Sequence, residues 1–190
     1  MVMETHVTTP VPDWYVLRDL KRPNAKHPAY KVLQEEPYHL QDKLFVPLVQ
    51  RVYTRSGKKV VMYVPFMTDL LFVHECREVL DPIVASISTL QYRYSKGCRQ
   101  HDPMRVSHAE MSRFIEAVRL ADHVEYYSLE EVSPQMYGKK IRIIGGALHG
   151  YEGRLLSKRG SRHKRLIIDL SGVISAAIQV ESEYIQLIKE

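Results

Sequence analysis

The chain has 190 residues, 45% of them hydrophobic and 26% charged, a globular composition with room for one medium core or two small ones. No apolar run is long enough to span a bilayer and no charged-then-apolar leader precedes the first elements, which argues against a membrane or secreted protein. The expected compartment is the cytoplasm, with Cys76 and Cys98 reduced. The net charge of +5 is uneven: residues 138–190 hold ten of the 27 Lys and Arg but only five of the 22 Asp and Glu, leaving 17 of each before them. A neutral body with a basic module is associated with nucleic-acid or ribonucleoprotein contact.

In chain order, residues 1–12 lack periodicity and read as a flexible lead-in. Trp14 to Leu20 has the aromatic and apolar density of a buried strand. Pro28 opens a short helical pattern through Tyr30 and Leu33. Two β runs, Leu44 to Val49 and Val60 to Val64, flank a polar turn at Ser56-Gly57 and predict a hairpin; Leu70 to Val73 predicts a further strand. Asp81-Pro82 has the form of a helix start, with Ile83, Ile87 and Leu90 behind it. Ser107 to Glu110 is a capping box, followed by an apolar stripe at Met111, Phe114, Ile115, Val118 and Ala121. Strands mixed with helices in this order predict an α+β domain, an open sheet with packed helices, over residues 13–125.

Residues 126–137 are polar and acidic, with Glu130, Glu131 and Pro134, and read as a linker. Residues 138–190 then carry five short β runs, Lys140 to Ile144, Gly153 to Ser157, Arg165 to Leu170, Ala176 to Val180 and Tyr184 to Ile188. Five strands at that spacing predict a small closed barrel, because closure removes exposed edges.

Gly138 to Leu155, with glycines at 145, 146, 150 and 153, resembles the KOW motif. Trp14-Tyr15-Val16-Leu17 resembles the first strand of the NusG N-terminal (NGN) domain, and Leu44 to Leu48 with Arg51 and Lys58-Lys59-Val60 resembles its central hairpin. The family's aromatic-Pro-Gly-Tyr turn is replaced by Thr68-Asp69-Leu70 after Phe66-Met67. With Met104 to Ser107 and Lys164 to Ile168, the order of motifs from 14 to 188 is most similar to the UpxY group of NusG paralogues, which govern capsular polysaccharide operons.

The resemblance implies an NGN domain followed by an SH3-like KOW barrel, and a monomeric transcription antitermination factor without catalysis, metal or cofactor. It implies binding to the clamp helices of the largest RNA polymerase subunit through an apolar face, with Tyr15, Phe66, Leu70 and Phe72 the contact residues by position. Further partners it admits are non-template DNA, nascent RNA, and a ribosomal protein or termination factor at the KOW domain. Each aromatic also has a plain reading as strand core.

Tyr92-Arg93-Tyr94-Ser95-Lys96 with Arg99 interleaves aromatics and cations as single-strand binders do, or forms one more sheet strand. Arg154 to Arg165, with Lys158, Arg159, Arg162 and Lys164, suits RNA phosphates or a solvated basic turn. A ribosome- or RNA-binding protein without polymerase contact is therefore the alternative reading. His74-x-Cys76 and Cys98-x-x-His101 supply zinc-type ligands at irregular spacing, and a metal is not expected. No catalytic constellation is present: Ser107, His108 and Glu110 are accounted for by the capping box.

Overall fold

The computed structural model describes residues 11–21, 25–94, 102–156, 160 and 163–188. It is a mixed α and β molecule, richer in strand, that divides into two compact units, Met1–Ser107 and His108–Glu190. Among the described residues no helix is long and apolar enough to cross a membrane.

In the first unit β1 (Asp13–Asp19) is the central strand. β5 (Leu71–Glu75) pairs antiparallel along one side of it, from Asp13 opposite Glu75 to Leu17 opposite Leu71. β6 (Leu90–Tyr92) and β7 (Arg105–Val106) pair along the other side, and β2 (Leu44–Phe45) extends the sheet beyond β5. Tyr15, Leu17, Leu71, Val73, Leu90 and Tyr92 form one buried face. Leu80 and Ile83 from α2 (Arg77–Ser86), and Ala29 from α1 (Ala29–Val32), pack on that face.

α2 begins earlier than the start predicted at Asp81-Pro82. Cys76 is its N-cap residue and Pro82 lies inside it. Asp81 is engaged elsewhere: it chelates the Arg77 guanidinium through two bonds of 2.9 Å and accepts the Tyr92 hydroxyl at 2.7 Å. Leu90, expected on the helix, belongs to β6.

β3 (Leu48–Arg55) and β4 (Lys58–Pro65) form a separate two-stranded sheet, an arm in register from Leu48 opposite Pro65 to Arg55 opposite Lys58. Its turn has Ser56 at φ 49° and Gly57 at φ 76°, the paired positive angles of a type I′ hairpin whose twist matches that of the strands.

The second unit carries a six-stranded antiparallel sheet in the order β13, β9, β10, β11, β12, β8. The strands are β8 (Val124–Ser128), β9 (Tyr137–Ile143), β10 (Glu152–Leu156), β11 (Lys164–Leu170), β12 (Ile174–Val180) and β13 (Ile185–Leu187). This corrects the closed five-stranded barrel: the sheet is open, because β8 occupies the outer side of β12 over five residue pairs, Ile174 with Ser128 through Ile178 with Val124.

The linker over 126–137 is corrected with it. Tyr126 is 7% exposed within β8, and Glu125 pairs with Arg165 at 2.9 Å. Tyr127, Val132, Met136 and Tyr137 pack against buried Leu156, Ile167 and Ala177. Acidic composition at Glu130 and Glu131 marks a surface turn here, since the apolar residues on either side of the acids have a core to enter.

α3 (His108–Leu120) also belongs to this unit, where the sequence pattern assigns it to the first domain. Its buried residues are Met111, Phe114 and Ala117, and it packs on β11 and β12. Those strands are buried at consecutive positions, so both faces of the sheet need a cover, and the cluster around Ile167 supplies only one. α3 provides the other, pinned by the Tyr151 hydroxyl donating to Glu116 at 2.6 Å and by the Arg113 guanidinium 5.2 Å from the Tyr151 ring centre.

Candidate binding surface

The arm concentrates exposed apolar side chains. Val52 is 61% exposed, Val61 52% and Tyr63 68%, and Leu48, Tyr53 and Val60 are exposed with them. Strand alternation sorts them onto two faces. Gln50, Val52 and Thr54 lie across from Tyr63, Val61 and Lys59, while Arg51, Tyr53 and Arg55 lie across from Met62, Val60 and Lys58. The first face groups Val52, Val61 and Tyr63 with only one cation, Lys59, and the second interleaves Arg51, Arg55 and Lys58 with Tyr53, Val60 and Met62. Residues 48–65 contain four cations and no acid.

The sequence makes this ribbon because β-branched and aromatic residues favour the pleat and Ser56-Gly57 sets the register. An isolated two-stranded hairpin is marginal in water. Here it is anchored where Phe66 N–H donates to the Pro47 carbonyl at 2.8 Å, next to half-buried Val64 and Pro65. A contiguous apolar patch on an exposed ribbon is what a docking surface needs and what a free surface avoids.

Of the contact residues expected from the resemblance, three are interior. Tyr15 is 5% exposed, Leu70 1% and Phe72 0%. The Tyr15 ring meets Tyr92 edge-on at 5.8 Å, and the Phe72 ring lies 6.1 Å from that of Phe45. Tyr15 and Phe72 cannot present a surface to a partner, because consecutive positions of β1 and β5 are buried on both sides of the sheet, and Leu70 is buried immediately before β5. Phe66 differs: it is half-buried at the base of the arm and lines a cleft there.

Arg93 is tied down on both ends. Its N–H donates to the Val16 carbonyl at 2.8 Å and its guanidinium pairs with Asp69 at 2.9 Å, so this side chain braces the sheet against the turn before β5. Lys96, Arg99, Lys158, Arg159 and Arg162 lie outside the described residues. Lys164 is exposed at the start of β11.

The four glycines of the KOW-like turn have two different reasons to be glycine. Gly146 and Gly150 adopt φ of 67° and 84°. At Gly145 a Cβ would stand 2.5 Å from the Tyr184 ring, and at Gly153 2.4 Å from the Ile167 carbonyl oxygen. Of the zinc-type residues, His74 stacks on Trp14 at 5.0 Å, while Cys98 and His101 lie outside the described residues. Among the described residues no three His, Cys, Asp or Glu converge on a metal position.

Two carboxylates of the first unit are held in the charged form. Arg77 hydrogen bonds lower the Asp81 pKa against the opposing effect of burial. Burial pushes Glu75 upward, and the Lys43 ammonium with the Cys76 N–H outweighs it, for a net lowering. The Asp81 carboxylate connects α2 to β6, and the Glu75 pair connects the end of β5 to the segment before β2.

The arm's apolar residues do not stand out in the sequence as contact residues. An acid-free run of eighteen residues with apolar side chains on both strand faces is the signal that marks them. Comparison with protein-family models finds no match, and comparison with curated proteins finds none either.

Proposed function

We propose that this chain is a NusG-type transcription antitermination factor that binds RNA polymerase and promotes processive transcription of specific operons, polysaccharide biosynthesis loci among them. In this reading the first unit is an NGN-type domain and Gly138 to Leu155 is its KOW-type partner motif. The observation that carries the proposal is the arm: the first unit holds Val52, Val61 and Tyr63 more than half exposed on a ribbon that forms a sheet of its own. Such a surface suits a macromolecular partner with an apolar helix or strand to offer. Residues 1–107 hold 15 cations and 11 acids, so affinity carried by apolar side chains of the arm is distinguished from attraction to nucleic acid by its weak dependence on salt.

The test is size-exclusion chromatography of the full chain with purified core RNA polymerase, followed by transcription through a terminator in its presence. Co-elution with increased read-through supports the reading. A folded chain that elutes apart from polymerase refutes it. The second reading, an RNA- or ribosome-binding protein, is favoured by a basic stretch, ten cations against five acids in residues 138–190, within a unit that holds 12 cations and 11 acids over residues 108–190. It predicts RNA affinity without polymerase that falls steeply with added salt.

A further inference from the structure

Beside the base of the arm lies a cleft of about 390 Å³, bounded by the end of β1, the approach to α1, and residues 51–53 and 64–68. Small-molecule sites span about 300 to 1,000 Å³. Lys21, Lys31 and Arg51 line it against one carboxylate, Asp19, a net of +2. Asp19 is 3% exposed, and its oxygens accept the N–H groups of Lys21 at 3.0 Å and Ala29 at 2.6 Å, so it serves the fold. The Lys21 ammonium gives one N–H to the His27 carbonyl and has two left. Among the described residues neither Lys31 nor Arg51 belongs to an ion pair.

Tyr30, Tyr53 and Phe66 give the same cleft aromatic walls, and the Thr68 hydroxyl adds a neutral donor. The Tyr30 phenol adds a second neutral donor, its pKa raised by burial. Free cations beside aromatic rings suit a ligand that carries both a phosphate and a flat π-face.

We propose that this cleft is a nucleotide site, in which Arg51, Lys31 and Lys21 hold a phosphate and Tyr30 and Tyr53 receive the base. The arm contributes Arg51 and Tyr53 from one face, so an occupied cleft ties the arm to α1. The ligand is either a free nucleotide or one unit of a single-stranded nucleic acid. The proposal goes beyond the polymerase reading and does not rest on it, because polymerase binding is scored in a separate experiment.

The test is calorimetric titration of the full chain with AMP, with inorganic phosphate and with a single-stranded oligo-dT. Arg51→Glu and Lys31→Glu are at exposed positions, and melting curves verify that each folds. Binding of AMP that the oligonucleotide displaces identifies a free nucleotide as sufficient. Binding of the oligonucleotide alone identifies the strand as the source. In either case each variant should weaken affinity about tenfold or more, and Lys139→Glu in the other unit should leave AMP affinity unchanged. Phosphate binding as tightly as AMP, no binding of AMP or oligonucleotide, or both variants binding like the parent would overturn the site.

Discussion

β3–β4 and β11–β12 are antiparallel ribbons of nearly equal extent, paired at eight and seven positions. In the arm almost every side chain is exposed or half-exposed, while β12 is buried at every position except Gln179. Their backbones satisfy the same hydrogen bonds, so the difference lies in what covers the side chains. β11 and β12 have α3 on one face and the Tyr127, Met136 and Tyr137 cluster on the other. The arm's apolar residues have no such cover among the described residues, which means they contribute little to folding and remain available for a partner.

Breaking the covered ribbon should therefore be the largest effect. Leu166, 0% exposed on β11, should cost about 2 to 5 kcal/mol as Leu166→Ala, read from denaturant unfolding of the second unit. Val61→Ala in the arm should stay within about 0.5 kcal/mol of the parent. Similar losses at the two sites would abolish the contrast.

The glycines sharpen it at the next scale. Gly153→Ala drives a Cβ against the Ile167 carbonyl of the neighbouring strand and should cost about 1 to 3 kcal/mol. A Cβ at Gly150 would meet nothing within 4 Å, so Gly150→Ala should lose only the left-handed backbone preference, about 1 to 2 kcal/mol. Gly150→Asn, which tolerates that conformation, should recover part of it. Equal penalties for alanine and asparagine at 150 would show that backbone angle is not the cause.

A smaller effect concerns acid. Asp81 and Glu75 have folded-state pKa values below their ordinary 3.8 and 4.5. Their contribution to stability is present above those ordinary values and lost as pH falls through the lowered folded ones. Urea midpoints of the first unit should drop between about pH 5 and about pH 2, and Asp81→Asn should flatten that slope. The Arg77 and Asp81 side chains are 46% and 44% exposed, so solvent screening keeps the change modest. A slope unaltered by Asp81→Asn would assign the acid sensitivity to other groups.

Much of the strand order was legible because its signals are local. Trp14 to Leu20, the Ser56-Gly57 turn and the Met111 to Ala121 stripe each announce themselves within a few residues. The partner of each element was less legible. The α3 stripe states that the helix needs a cover without saying which sheet supplies it, and Glu130 and Glu131 made a strand-bearing segment resemble a linker. The resemblance puts Tyr15, Leu70 and Phe72 at a contact surface, whereas their burial depends on what packs around β1, β5 and the turn before β5. Alternation marks Val52 and Val61 as apolar, and only the assembled fold distinguishes an arm from a sheet strand.

Whether the uncovered arm is a binding surface is decided most directly by Val61→Ser combined with Tyr63→Ser. Both residues lie on the same face of the arm as Val52 and are more than half exposed, so stability should stay within about 0.5 kcal/mol of the parent. Under the proposed polymerase reading, the affinity for purified RNA polymerase, measured by titration of a labelled full chain, should fall about thirtyfold, the equivalent of about 2 kcal/mol for a central interface aromatic. A folded double variant that binds polymerase as tightly as the parent would mean that the arm is not the docking surface.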